Sequence, residues 1–560
     1  MDIDLLHYTI LNAIDIILYL FYFSLFGIFY QNYFLNKKPH IADLVELNIY
    51  GLFFIYICLA IWNIFLPINQ LSFLLVGLVS LPSIYIINRQ GLIAFIKVFF
   101  SLPRIIIIIL QLGFIFWISN LAISDLKYEP MYYLQKVKWA QEYPLIKGLG
   151  NLFICYGLDS SHFLYLSFSD HFPFISRSFW NFNGYLLALG FLYFFIMPVS
   201  NIFIQKKNSY TSDIMKLMFI PIHIHNCFYM HPGLSTDLSI FIYGSILAIE
   251  IFRMFFDGEK NINIILICLF LGFSSKISFL PTTVLSIIVL FIFYFREIRI
   301  VLKKYKLTIL LTILAFSLQI QRNIILTGYP LYPLEYISVP VKWKMDRDEV
   351  MNYSKDLSNW AKGIRKGETD LKEIEKVKKA WIKSRLIVQH RRIETLYPLA
   401  LAIVGLIYIL HRKREIWAKL GIFLLPPIVQ LFMWYFHAPD SRFSSFAFWW
   451  LGAGMINFAI KDLFPRKILV LLPLSLVLFA FSLHTVDSLG SEKDLIVLEY
   501  SKNVPNDPKS FIYVTKSGLK VLVPENGKKC DDCPLPCTMT PNPNLKLLES
   551  GEIKSGFYLE

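Results

Sequence analysis

Apolar blocks long enough to cross a bilayer recur from the first ten residues to about residue 484, and no other feature constrains the fold as strongly. A spanning helix needs about 20 predominantly apolar residues. Blocks lie at 8–34, 47–66, 71–87 and 105–123, followed by a polar stretch at 124–180. Six more follow at 181–204, 214–230, 238–256, 262–274, 277–295 and 307–326, then a second polar stretch at 327–395. The last four, 396–411, 419–437, 443–460 and 467–484, lead into a hydrophilic tail at 485–560. The pattern predicts an all-α polytopic membrane protein with about fourteen transmembrane helices, amphipathic helices on its outer face and a small C-terminal tail domain. Charged residues make up only 17% of the chain, against roughly 25% in soluble domains, which excludes an ordinary soluble enzyme.

The net charge of +14 would suggest nucleic acid in a soluble protein. Here the basic residues sit in short loops and set orientation, so a lipid bilayer is the expected partner and nucleic acid is not. Alternate loops carry Lys37 and Lys38; Arg89, Lys97 and Arg104; Lys206 and Lys207; Arg296, Arg299, Lys303, Lys304 and Lys306; Arg412, Lys413 and Arg414; and Lys461, Arg466 and Lys467. Those loops should face the cytoplasm, which places both long polar stretches, the tail and both termini outside. The first block follows Asp2 and Asp4 and lacks the basic region of a signal peptide, so it reads as a retained helix. Three regions result: N-terminal membrane helices at 1–104, a membrane core at 105–484 with outer loops 124–180 and 327–395, and the tail. In the tail, KKCDDCPLPC crowds Cys530, Cys533 and Cys537. Half a zinc site is one reading, but no fourth Cys or His follows nearby, and a Cys530–Cys537 disulfide is expected in an oxidising space.

Charge within a membrane helix usually marks function, and the midplane reads as nearly empty. Polar residues gather instead at the outer ends: Asp125 and Glu129, His231 and Asp237 in HPGLSTD, Lys276 in SSKIS, Arg322 in QRNIILTGYPLYP, and His437, Asp440 and Arg442 in HAPDSRF. A one-sided cluster suggests a reaction surface, whereas a transport path needs sites at depth. Pro130 favours the first position of a helix, which would put Glu129 at the N-cap with Tyr132, Tyr133 and Lys136 on its face. A carboxylate held ionised there suits a general base, with a solvated loop acid as the alternative for Glu129 and Asp125. Arg322, Arg442 and Lys276 would supply the donors that a phosphate leaving group needs. Snorkelling of Arg322, and pairing of Arg442 with Asp440, are the plain alternatives. His231 and His437 fit phosphate binding, proton donation or turn capping. Tyr329, in GYPLYP at 328–333, fits a sugar-stacking or lipid-facing wall, or simple loop punctuation. Residues 372–392 read as an amphipathic interfacial helix.

This layout resembles the GT-C superfamily of integral-membrane glycosyltransferases over roughly residues 105 to 484. The family pattern of an acid followed three or four residues later by an aromatic is met by Glu129, Tyr132 and Tyr133, with Asp125 in place of the usual adjacent acid. The stretches EYPLIKGLGN, TGYPLYP, HAPDSRF and CPLPCTMTPNPNL also resemble an uncharacterised family of bacterial polytopic membrane proteins. The glycosyltransferase resemblance implies inverting transfer of a sugar from a polyprenyl-phosphate donor to a glycan or lipid acceptor, in cell-envelope polysaccharide biosynthesis at the bacterial inner (plasma) membrane. Glu129 or Asp125 would be the base, Arg322, Arg442 or Lys276 would hold the phosphate, and a divalent metal (Mg or Mn) is admitted as cofactor. Competing readings are an O-antigen polymerase or ligase, a flippase or other transporter of a lipid-linked glycan, and a scaffold subunit that contacts its partners through the tail.

Overall fold

The computed structural model describes residues 3–37, 44–89, 102–124, 132–173, 177–204, 211–231, 233–259, 261–364, 392–410, 415–460, 509–525 and 529–560. Among these, six helices are long and apolar enough to cross a membrane: Leu6–Tyr33, Leu44–Phe65, Ser178–Ile202, Asp237–Asp257, Lys306–Thr327 and Trp417–His437. Ile277–Phe293 and Phe295–Lys304, bent by 71°, would make a seventh if counted as one. This is the make-up of a multi-pass membrane protein, but the described residues do not hold the expected fourteen crossings.

Part of the difference comes from breaks and short helices that composition does not reveal. The 71–87 block divides into Gln70–Leu78 and Leu81–Arg89, and the 214–230 block into Thr211–Met218 and Ile220–Tyr229, with Pro221 in the first turn of the second piece. Ile262–Ser275 has 14 residues and Leu396–Leu410 has 15, so neither exceeds about 23 Å at 1.5 Å per residue. The 467–484 block lies outside the described residues, as does most of the 372–392 stretch.

One core runs from Ile16 to Ala459 and joins the N-terminal helices to the rest. At its centre the Asp237–Asp257 span is 94% buried. Helices Ile3–Tyr33 and Leu44–Phe65 pack closely because both carry glycine where they meet: a Cβ on Gly27 would stand 1.8 Å from the Leu47 carbonyl oxygen, and one on Gly51 1.9 Å from that of Phe23. The midplane is less empty than the sequence suggests. Asp15 is fully buried in the first span, and Glu250 in the central span accepts from Tyr193 (2.7 Å) and Arg253 (2.9 Å).

The tail forms two antiparallel pairs, β1 (Ser510–Val514) with β2 (Lys520–Pro524) and β3 (Leu545–Leu547) with β4 (Phe557–Leu559). Cys530 and Cys537 are joined as a disulfide, and Cys533 is a buried thiol. Val521, Val523, Leu545 and Phe557 share a second, smaller core with Trp139, Ile146, Leu149 and Tyr156 from the first long polar stretch. Tyr156 donates to the Cys537 carbonyl (3.0 Å), Thr538 to that of Leu152 (2.8 Å), and Asp532 pairs with Lys138 (3.0 Å) and Arg177 (2.6 Å). The tail therefore covers one end of the helix bundle, called here the tail face.

Candidate functional site on the tail face

Two charged centres form where helix ends meet beneath the tail. The first is closed. Arg322, near the end of helix Lys306–Thr327, donates through Nε to Asp159 Oδ2 (2.9 Å), through Nη2 to Asp159 Oδ1 (3.3 Å) and through Nη1 to Asn63 Oδ1 (3.1 Å). One turn earlier, Gln319 donates to Asp159 (3.1 Å) and accepts from Tyr56 (2.9 Å). Both charged side chains are only 2–3% exposed. Burial opposes ionisation of Asp159, yet the Arg322 guanidinium and the Lys136 ammonium hold its carboxyl below the ordinary carboxylate range. Burial also pushes the Lys136 amine down to about 8, against the pull of Asp159, and that amine donates to the Tyr156 carbonyl (2.8 Å). The adjoining cavity, lined by Asn63, Lys136, Trp139, Phe163 and Arg322, measures ≈ 20 Å³ and has room for a water but not for a sugar ring.

The second centre is open. Asp237 stands at the start of helix Asp237–Phe252 and pairs with Lys276, which caps the end of helix Ile262–Ser275. Arg442 reaches Asp237 at 3.9 Å and grips Asp440 with Nε (3.1 Å) and Nη2 (3.3 Å). The acids are 6% and 1% exposed, but Lys276 and Arg442 are 25% and 27% exposed. The carboxylates are thus buried, while the cationic side chains keep about a quarter of their surface exposed. Aromatic faces steady those heads: Lys276 Nζ is 3.6 Å from the Phe443 ring centre and the Arg442 guanidinium 6.0 Å from that of Trp360. Ser441 carries the network down to buried Glu394, whose carboxylate lies 3.4 Å from His225. The two centres are linked, since Ser160, next to Asp159, donates to the Ser275 carbonyl (2.8 Å), next to Lys276.

Lys276, Asp237, Arg442 and Asp440, singled out from three separate stretches, come together. Arg322 lies in the closed centre instead. His231 is buried against Gly184, and burial pushes its imidazole down to about 4, leaving it uncharged near neutrality. His437 is exposed at the end of its helix. Tyr329 is buried, with its hydroxyl donating to the Met345 carbonyl (3.2 Å) and its ring packed with Tyr332 and Val350, so GYPLYP folds inward and presents no wall. Asp125 and Glu129 lie outside the described residues. The helix expected to begin at Pro130 begins at Tyr133, with Tyr132 and not Glu129 as its N-cap, and the rings of Tyr132 and Tyr133 pack on Phe163. Among the described residues no three His, Cys, Asp or Glu side chains gather as a metal site. Asp237 and Asp440 are each engaged by a cation, a poor donor set for Mg or Mn.

Asp159, Gln319, Asn63, Glu394 and His225 were not legible as site residues. The spacing of Gln319 and Arg322, one turn apart in an apolar helix, was the available signal that a buried acid had to face them.

No curated protein and no solved structure matches this chain. A family described as a domain of unknown function, DUF8201, matches residues 10–449, a range that takes in every member of both centres and leaves out the tail. By that match the chain belongs to the DUF8201 family.

Proposed function

We propose that this protein is a membrane glycosyltransferase that moves a sugar from a polyprenyl-phosphate-linked donor to a hydroxyl of a cell-envelope glycan or lipid, working at the extracytoplasmic face where the tail sits. The observation that carries this reading is the uneven burial of the open centre. Two cations are held in place by buried acids while about a quarter of each cationic side chain stays exposed, which leaves them accessible to an anionic leaving group. In the proposed reaction an acid from the stretch before Tyr132, Glu129 or Asp125, takes the proton of the acceptor hydroxyl. The acceptor oxygen then bonds to the anomeric carbon from the side opposite the phosphate. The bond from that carbon to the phosphate oxygen breaks with its electron pair, and Lys276 and Arg442 receive the charge that develops on the departing polyprenyl phosphate.

Binding of the leaving group is the direct test. Native mass spectrometry of the purified protein should show retention of undecaprenyl phosphate in preference to undecaprenol. Lys276→Gln combined with Arg442→Gln should abolish that preference. Equal retention of both lipids by the wild type removes the phosphate from the mechanism, and the reading fails with it.

A further inference from the structure

The first span carries a polar stripe, Thr9, Asn12, Asp15 and Tyr19, at three- and four-residue spacing, and all four side chains are buried. The stripe faces the turn that opens the Ser178–Ile202 span. Ser178 Oγ donates to Asp15 Oδ2 (2.6 Å), Asn181 Nδ2 donates to the same oxygen (2.9 Å) and also contacts Asn12 Oδ1 (3.1 Å), and Tyr19 donates to the Ser178 carbonyl (2.8 Å). Every donor to Asp15 is neutral. Among the described residues no Lys, Arg or His pairs with it, and the ionisable groups it feels are Tyr19 and another acid, Asp170. His231 lies near, since it and Ile16 both abut Gly184.

A buried carboxylate without a counter-charge is costly enough that it is neutralised by some means. Asp15 Oδ1, Asn181 Oδ1 and Asn12 Nδ2 have no hydrogen-bond partner. A proton on Oδ1 would have Asn181 Oδ1 as its open acceptor among these atoms, so a proton and a cation compete for the same pair of oxygens. A small cation takes lone pairs from Oδ1 and from the amide oxygen together and cancels the charge. One carboxylate among amides and hydroxyls is a hard oxygen donor set of single negative charge, which suits a monovalent ion.

We propose that Asp15, Asn12, Asn181 and Ser178 form a buried site for a sodium-sized monovalent cation, clasped between the first span and the start of the Ser178–Ile202 span. The site does not depend on the transferase reading. An ion that binds only the folded state raises its melting temperature in a saturable way. Purified protein should therefore melt higher as choline is replaced by sodium at constant ionic strength above neutral pH, with a smaller response to potassium. Lowering the pH should demand more sodium, because protons compete for the same carboxylate. Asp15→Asn should remove the sodium response. Should that variant fail to fold, Asn181→Ala keeps the carboxylate and should raise the half-saturating sodium concentration by about tenfold, the factor that corresponds to about 1.4 kcal/mol. Equal melting in sodium, potassium and choline overturns the proposal, whether or not pH still moves the transition. A sodium response left unchanged in the variants overturns it too, by placing the ion elsewhere.

Discussion

The Asp159–Arg322 and Asp237–Lys276–Arg442–Asp440 centres share a face and are joined through Ser160 and Ser275, yet they solve opposite problems. In the first, acid and cation are both buried, each guanidinium nitrogen of Arg322 donates to Asp159 or Asn63, and the charges serve each other. In the second, only the acids are buried. Charge alone therefore does not mark a binding surface. The difference lies in which partner keeps its access to solvent, and in the proposed function it separates a clamp from a receptor.

The largest effect should come from breaking the clamp. Arg322→Ala leaves Asp159 buried and unpaired, at a cost of about 3–5 kcal/mol. That should appear as loss of monodisperse protein in detergent or a much lower melting temperature. Arg322→Met with Asp159→Leu should recover much of the loss, because a buried pair replaced by apolar side chains is often tolerated. The pH dependence has a definite sign. The folded Asp159 carboxyl titrates below its ordinary value of 3.8, so its stabilisation is complete above that value and is lost only as pH falls through the lower, folded one. A wild type that shed this stability at mildly acidic pH would contradict the clamp.

The open centre should behave the other way. Lys276→Gln and Arg442→Gln should each destabilise by about 1–3 kcal/mol, less than Arg322→Ala, because glutamine keeps a neutral donor beside the buried Asp237 and Asp440. Removing a donor from a developing charge typically costs about 10² to 10³ in rate, so envelope glycan product should fall while folding holds. Glu129→Gln should also lower product, by about 10² or more, with phosphate-lipid binding retained. If Arg442→Gln unfolds the protein as Arg322→Ala does, the distinction between the centres disappears.

The same contrast shows how much was legible beforehand. Lys276, Asp237, Asp440 and Arg442 each stand at the end of an apolar segment, where a polar residue is conspicuous, and their convergence could be anticipated. Asp159 could not. It sits in LDSS within a long polar stretch whose acids all resemble solvated ones, and its partner lies 163 positions away. Asp15 and Glu250 were visible inside apolar blocks, but a single acid scarcely lowers a block's hydropathy, and only packing shows that, among the described residues, Glu250 meets a cation and Asp15 meets neutral donors alone. The crossings were overcounted for a related reason. Apolar content reports burial, whether in lipid or in protein, and says nothing of the break before Pro221 or the 71° bend after Phe293.

The disulfide should matter less than the clamp and should act locally. Cys530 and Cys537 close a loop seven positions long, and chain entropy for so short a loop amounts to roughly 2–3 kcal/mol. Cys530→Ser should loosen the tail where Asp532 and Cys537 hold the Lys138 and Tyr156 segment, seen as faster proteolysis of residues 509–560. The melting of the helical core should stay within a few degrees of the wild type, since the two cores are separate.

The smallest effect sharpens the comparison at its edge. Tyr329 lies in a loop that the sequence offered as a sugar-stacking wall, but its ring is buried and its hydroxyl serves the Met345 carbonyl. Tyr329→Phe removes that one hydrogen bond and keeps the ring, so the cost is about 1 kcal/mol of stability, raised slightly by the carbonyl left without its donor. Product should be unchanged at normal expression, because nothing that faces the open centre has moved. Tyr329→Ala would confuse the issue by opening a cavity beside Tyr332 and Val350. The phenylalanine is the cleaner probe: a drop in product without a drop in stability would mean that the hydroxyl meets substrate, and that the receptor extends beyond Lys276 and Arg442 into the loop at 328–333.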